Sequence, residues 1–286
     1  MELLQHANLR WWLVEHPTIS SFQWAENQTW VSSPQFLFAA LLSYLSLTFL
    51  LHLILPKTPT YSAPPPSSSP SVLRIISAVH NLFLLLISLA MAVGCSLSSL
   101  SQMPDPAWLF CFPADPPTPP SGPTFFWAYV FYLSKLLEFS DTLLILLNPS
   151  KRLTFLHVYH HALVVVMCYL WLHSSQSLLP VALVTNASVH TVMYGYYLLC
   201  SVGRRPRWKR VVTDIQIVQF VFSFACSVVM LWLHFSSRRG GAGCSGIRAW
   251  VFNAGFNSSL LLLFLNFHSK NYGSEGRGKN KNKKKN

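Results

Sequence analysis

About seven stretches of roughly twenty predominantly apolar residues, each long enough to cross a lipid bilayer, leave this chain a narrow choice of folds. They cover approximately 35–55, 72–94, 124–147, 154–173, 178–201, 211–235 and 247–268. In lipid, backbone N–H and C=O groups must be satisfied within the segment, so runs of this length are helices. Only 10% of the 286 residues are charged and 51% are hydrophobic, where a soluble domain carries about 25% charged residues. The expected fold class is an all-α integral membrane protein. Its parts would be a lumenal N-terminal segment (1–34), a seven-helix transmembrane domain (35–268) and a cytosolic basic tail (269–286). Met1 to Trp30 holds Glu2, Glu15 and Glu26 without a continuous apolar core, so no cleavable signal peptide is expected.

Orientation follows from where the basic residues fall. One set of flanks holds Lys57, Arg74, Lys151, Arg152, the run Arg204, Arg205, Arg207, Lys209 and Arg210, and a lysine-rich tail. The opposite flanks hold few, although Arg238 and Arg239 run against the trend. Basic loops stay cytosolic, so the N-terminus is expected in the lumen and the C-terminus in the cytosol. The net charge of +12 thus reflects topology, and no nucleic-acid partner is expected. Trp11, Trp12, Trp24 and Trp30 are placed at the membrane interface, Asn27-Gln28-Thr29 is a glycosylation sequon, and Pro56 to Ser71 reads as an extended connector.

The chemistry-bearing residues fall inside the apolar runs. His157, His160 and His161 are spaced i, i+3, i+4 and share one helix face. Packing histidines are the plain alternative, but three on one membrane helix face are costly and point to function. In the third span Lys135, Glu138, Asp141 and Thr142 form a stripe; an i, i+3 ion pair explains the first two but not Asp141. Asn186, His190, Tyr194 and Tyr197 line one face of the fifth span, and Thr213, Gln216 and Gln219 open the sixth. His80-Asn81 fits a helix-packing bond as well as a role in the site. Antiparallel spans bring all these groups to the cytosolic half, which predicts a polar chamber there. The nearby arginines, Arg204 and Arg207 among them, suit an anionic substrate, since guanidinium pairs well with phosphate.

These motifs stand in order: Lys135-Leu136-Leu137-Glu138-Phe139-Ser140-Asp141-Thr142, His157-Val158-Tyr159-His160-His161, Asn186 through Tyr197, and Thr213 through Phe220. Together they resemble the ELO family of very-long-chain fatty acid elongases over roughly Val72 to Tyr272. The long N-terminal stretch, the Pro-rich linker and the Gly-rich loop around Gly240 resemble a plant-type member. The resemblance implies about seven membrane helices, six of them enclosing a narrow acyl tunnel. It implies a 3-ketoacyl-CoA synthase of the endoplasmic reticulum that condenses acyl-CoA with malonyl-CoA, working beside the reductases and dehydratase of the elongation cycle, with no cofactor and with a homodimer as one assembly open to it. By motif, His160 is the nucleophile and His190 faces it, while His157 and His161 orient the ring or move protons. An enolate would need donors such as Asn186, Gln216 or a tyrosine hydroxyl, and Tyr194 and Tyr197 are expected among the substrate-binding residues. Lys135, Glu138 and Asp141 would hold the polar shell, with Lys135 or the loop arginines near CoA phosphate. Leu231, Trp232, Leu233 and His234 would stop the acyl chain.

The resemblance also bears on the cysteines. Cys111 and Cys244 fall in two lumenal loops, whose counterparts in related elongases carry cysteines, and a bridge between them is expected there; two free thiols are the alternative. Lys283 and Lys284, third and fourth from the end, match a dilysine retrieval signal, against the alternative of a merely solvated basic tail. Two other functions compete. A membrane di-iron desaturase or hydroxylase also uses histidine boxes, but needs several and only one His-x-x-His-His is present. A seven-span transporter or receptor could use charged residues at one depth, although no internal repeat stands out.

Overall fold

The computed structural model describes residues 8–55, 71–148, 152–236 and 243–272. The Pro-rich linker, Lys151, Arg238, Arg239, Gly240 and the Lys283-Lys284 signal lie outside the described residues. The main helices are α1 (Pro34–Ile54), α2 (Ser71–Gln102), α3 (Pro123–Leu137), α4 (Phe139–Leu146), α5 (Phe155–His173), α6 (Leu179–Ser201), α7 (Lys209–Phe235) and α8 (Ile247–Tyr272). Between them are short helical turns and, among the described residues, isolated bridges but no strands. The protein is thus an all-α integral membrane protein, and α1, α2, α5, α7 and α8 are each long and apolar enough to cross a bilayer.

Local chemistry sets the helix starts. Ser33 accepts a hydrogen bond from the Phe36 N–H (3.1 Å) and Pro34 occupies the first turn of α1, where its missing N–H costs nothing. Thr154 Oγ1 accepts from the His157 N–H (3.3 Å) and so begins α5 just before the histidine cluster. Helix α2 runs to Gln102, well past the expected end at 94. Its terminal serines turn their hydroxyls back onto the helix: Ser96 Oγ donates to the Ala92 carbonyl (2.7 Å) and Ser101 Oγ to that of Ser98 (2.8 Å). Satisfied this way, polar residues extend a helix that hydropathy alone would end.

The third expected span is not one helix. It tightens at Glu138 (φ −62°, ψ −12°), which closes α3 and opens α4. That ψ is nearer a 3₁₀ turn than an α-helix, and such turns inside helices often mark functional sites.

Helix pairing runs α2 to α3, α3 to α5, α5 to α8, α8 to α7, α7 to α6 and α6 back to α2, which closes a ring of six; α2 with α6 is the most extensive pair. Helix α1 stands outside, against α4 and α5. At one end the ring is filled by Phe125, Phe131, Tyr132, Val165, Trp171, Leu172, Leu179 and Leu183. The Cys111–Cys244 disulfide lies at this end, where Ser245 N–H donates to the Phe112 carbonyl (2.8 Å) and Ser177 Oγ to that of Ser245 (2.8 Å).

The N-terminal segment packs onto that end. Trp24, expected at the lipid interface, is buried among Tyr129, Tyr132 and Tyr169, and the Trp127 indole N–H donates to the Leu13 carbonyl (2.8 Å). A tryptophan is as well suited to a core as to a membrane interface when aromatic partners converge on it. Trp12 and Trp30 remain exposed.

Candidate active site

The opposite end of the ring, where the basic residues gather, encloses a cavity of about 830 Å³. Helix α5 contributes His157, His160 and His161 to its wall, α6 contributes Asn186, His190, Tyr194 and Tyr197, and α7 contributes Thr213, Gln216 and Gln219. Glu138 and Asp141 line it from the α3–α4 break. The spacings of three and four residues act as expected, turning each group of side chains toward the same space.

A buried charged cluster runs from the wall into the bundle. Lys135 Nζ lies 2.6 Å from Glu138 Oε1 and 3.2 Å from His190 Nδ1, and Glu138 Oε1 is 3.4 Å from the same nitrogen. His190 Nδ1 thus meets a donor and an acceptor at once: it accepts if it pairs with the Lys135 ammonium and donates if it pairs with the Glu138 carboxylate. With Lys135 as its partner, the ring would present Nε2–H to the cavity. Glu138 Oε2 stands 4.0 Å from His161 Nδ1. Among the described residues, Nδ1 of His160, Nδ1 of His161 and Oδ1 of Asn186 are buried without a hydrogen-bond partner. Buried polar atoms are nearly always paired, so unpaired ones in a cavity wall call for a partner, which a bound substrate or water would supply. The His160 ring is edge-on to His161 (5.4 Å between centroids) and stacks on Phe256 (6.3 Å).

Asp141 joins three helices. Its Oδ2 accepts from the Tyr194 hydroxyl (2.8 Å) and its Oδ1 lies 2.7 Å from His80 Nε2. Asn81, the other half of the polar pair on α2, donates to Ser201 Oγ (3.0 Å) and lines the cavity. Both residues of that pair therefore serve the site's surroundings, one behind the wall and one within it. Thr142 Oγ1 lies 2.9 Å from His157 Nε2.

Some expected site residues sit elsewhere. Lys135 is absent from the cavity wall, since Glu138 and His190 occupy its ammonium inside the bundle; it is not placed to meet a CoA phosphate. Arg204 and Arg207 are exposed and outside the wall, whereas Arg74, Arg152, Arg205, Lys209 and Lys270 line it. A count of loop arginines shows how basic a loop is but not which ones turn inward. The four residues expected as the chain stop point different ways. Trp232 is 60% exposed, Leu231 and Leu233 pack against the disulfide cluster, and His234 Nδ1 accepts from the Cys244 N–H (2.9 Å). At 3.6 residues per turn, four consecutive side chains are spread over about 300° around the helix axis and cannot all face one tunnel. Among the described residues, no group of three or more His, Cys, Asp or Glu has an arrangement that would hold a metal ion.

The chain matches the family model described as ELO, the GNS1/SUR4 family, over residues 29–285. This protein belongs to the ELO family. It is 31% identical over 275 residues to a fatty acid elongase 3-like protein of Arabidopsis thaliana, which covers 91% of each chain and fits a plant-type member. It is 32% identical over 254 residues to fatty acid elongase A of Dictyostelium discoideum, covering 87% of this chain and 85% of that one. It is also 35% identical over 162 residues to very long chain fatty acid elongase 5 of Rattus norvegicus, covering 53% and 50%. As a member of this family the chain is an enzyme of fatty acid elongation.

Proposed function

We propose that this elongase is the condensing enzyme of the cycle, a 3-ketoacyl-CoA synthase of the endoplasmic reticulum that joins acyl-CoA to malonyl-CoA. The observation that carries this reading is the shared wall of one cavity: His160 on α5 with an unpaired, buried Nδ1, and His190 on α6 with its Nδ1 held between Lys135 and Glu138. A neutral His160 nitrogen attacks the acyl thioester; the C–S bond breaks, CoA leaves as the thiol with the imidazole's proton, and an acyl-imidazole remains. Malonyl-CoA then loses CO₂ to give the enolate of acetyl-CoA. The enolate carbon attacks the acyl carbonyl, the new C–C bond replaces the C–N bond, and the departing imidazolate takes up one proton from water to regenerate His160. His190 Nε2–H, Asn186 and Gln216 are the donors for the enolate oxygen.

Arg74, Arg152, Arg205, Lys209 and Lys270 suit the CoA phosphates, as a set of cations at the end of the cavity that would open to the cytosol. In this reading the N-terminus is lumenal, the C-terminus is cytosolic, and the Lys283-Lys284 pair acts as the retrieval signal. The products pass to the reductases and dehydratase of the cycle. The test is malonyl-CoA-dependent elongation by membranes of a host lacking its own elongases. Wild-type protein should lengthen acyl-CoA by two carbons, and His160→Ala should abolish this while inserting normally. Retained activity in His160→Ala removes the nucleophile assignment.

A further inference from the structure

Helix α1 stands outside the six-helix ring, and most of it faces outward: Phe38, Phe49 and Leu53 are 69%, 66% and 65% exposed. Its buried residues are Tyr44 and Thr48, one helical turn apart and both carrying hydroxyls. A helix held on only by apolar packing has no need to bury hydroxyl groups, which cost free energy unless hydrogen-bonded.

Tyr44 does have a partner. Its hydroxyl lies 3.0 Å from Thr142 Oγ1, and the same Thr142 oxygen lies 2.9 Å from His157 Nε2. The Tyr44 ring stacks on Phe139 at 4.1 Å and 11°, which fixes where its hydroxyl points. Thr142 is 1% exposed, and neither it nor Tyr44 lines the cavity, whereas His157 does, with its ring 4.2 Å from that of His161. The three groups form a line from the outer helix, through the α3–α4 break, to the back of the histidine cluster.

We infer that Tyr44, on the peripheral helix, is a positioning residue for the reaction, acting through Thr142 to hold the His157 imidazole. The inference rests on the reading of the histidine cluster as the reacting centre. Hydroxyl protons make the line reversible. With His157 Nε2 as acceptor, Tyr44 donates to Thr142 and Thr142 to the ring; with Nε2 protonated, the ring donates to Thr142 and Thr142 to Tyr44. Two hydroxyl rotations therefore keep every bond in either state, so His157 can take up or release a proton at Nε2 without losing its place. Thr142 alone would lose an acceptor for its own proton in the second state. Linked hydrogen bonds also polarise one another, so the far hydroxyl matters to the near bond.

The experiment uses full-length protein in membranes of an elongase-deficient host. Tyr44→Phe should lower kcat roughly two- to tenfold, the value of one hydrogen bond, with the KM for acyl-CoA unchanged. Thr142→Val should lower it further, Thr142→Ser should restore most of it, and adding Tyr44→Phe to Thr142→Val should cost nothing more. Thr48→Val, on the same buried face of α1, should leave kcat unchanged. A second readout does not depend on elongation: the rate at which diethyl pyrocarbonate carbethoxylates His157, mapped by mass spectrometry. It should rise in Tyr44→Phe and more in Thr142→Val, with the His160 rate constant. Additive losses, an equal loss in Thr48→Val, or unchanged His157 labelling would overturn the inference. If wild-type membranes do not elongate acyl-CoA, the proposed function falls, and the labelling still decides whether the line exists.

Discussion

Lys135 and Glu138 are each 1% exposed, and their 2.6 Å contact lies inside the bundle. Removing one member of such a pair leaves the other charge buried and uncompensated, at a cost of about 3–5 kcal/mol, whereas replacing both by apolar groups is often neutral. Glu138→Gln and Lys135→Met should each lower the thermal midpoint of the detergent-solubilised protein. The double variant Lys135→Met/Glu138→Leu should recover much of that stability but no activity, because His190 loses the cation that orients its Nδ1. Recovered activity in the double variant would sink the orienting role. At this scale the sequence already showed the i, i+3 pair and its stripe. It did not show that Lys135 faces His190 and not the substrate, which depends on how α3 packs against α6.

At the scale of elements, close approach decides more than hydropathy does. A Cβ on Gly94 of α2 would stand 2.2 Å from Trp127 Cε2 on α3, and the Trp127 indole is held by its bond to Leu13. Helix α2 thus needs a residue without a side chain where the tryptophan crosses it. Gly255 of α8 has nothing within 4 Å of an added Cβ. Gly94→Ala should destabilise by about 1–3 kcal/mol through overpacking, while Gly255→Ala should stabilise by roughly 0.5–1 kcal/mol through helix propensity. Thermal unfolding of the two variants in detergent gives the comparison, and equal shifts would mean that Trp127 moves aside freely. The periodicity of α5 and α6 was legible residue by residue. The break at Glu138 was not, since nothing in Leu137-Glu138-Phe139 carries a glycine or proline to announce it.

For the whole molecule, the ring is closed at one end by packing and covalent chemistry and left hollow at the other. The Cys111–Cys244 bridge joins loops 133 residues apart in sequence. A cross-link closing so long a loop removes much freedom from the unfolded chain and contributes about 2–4 kcal/mol. The Cys111→Ser/Cys244→Ser variant should therefore unfold at lower temperature, while its KM for acyl-CoA in intact membranes stays near the wild-type value, because the cavity lies at the far end. In sealed microsomes an added protease should remove a C-terminal tag and leave the bridged loops intact. Protection of the tag would reverse the orientation proposed here.

Quantities set by local chemistry are legible along the chain. Runs of about twenty apolar residues have one solution in lipid, and spacings of three and four along them turn His157, His160 and His161, or Asn186, His190 and Tyr194, to a common face. Motif order added the family. Packing of the helices against one another set the rest. It buried Trp24 in the core, turned Arg205 and Lys209 toward the cavity and left Arg204 and Arg207 outside, and moved Trp232 to the outer surface. It also brought Tyr44 within 3.0 Å of Thr142 across 98 residues of chain. Helical periodicity fixes the angle of a side chain about its own axis, but the partner it meets depends on the rotation and tilt of every other helix in the ring.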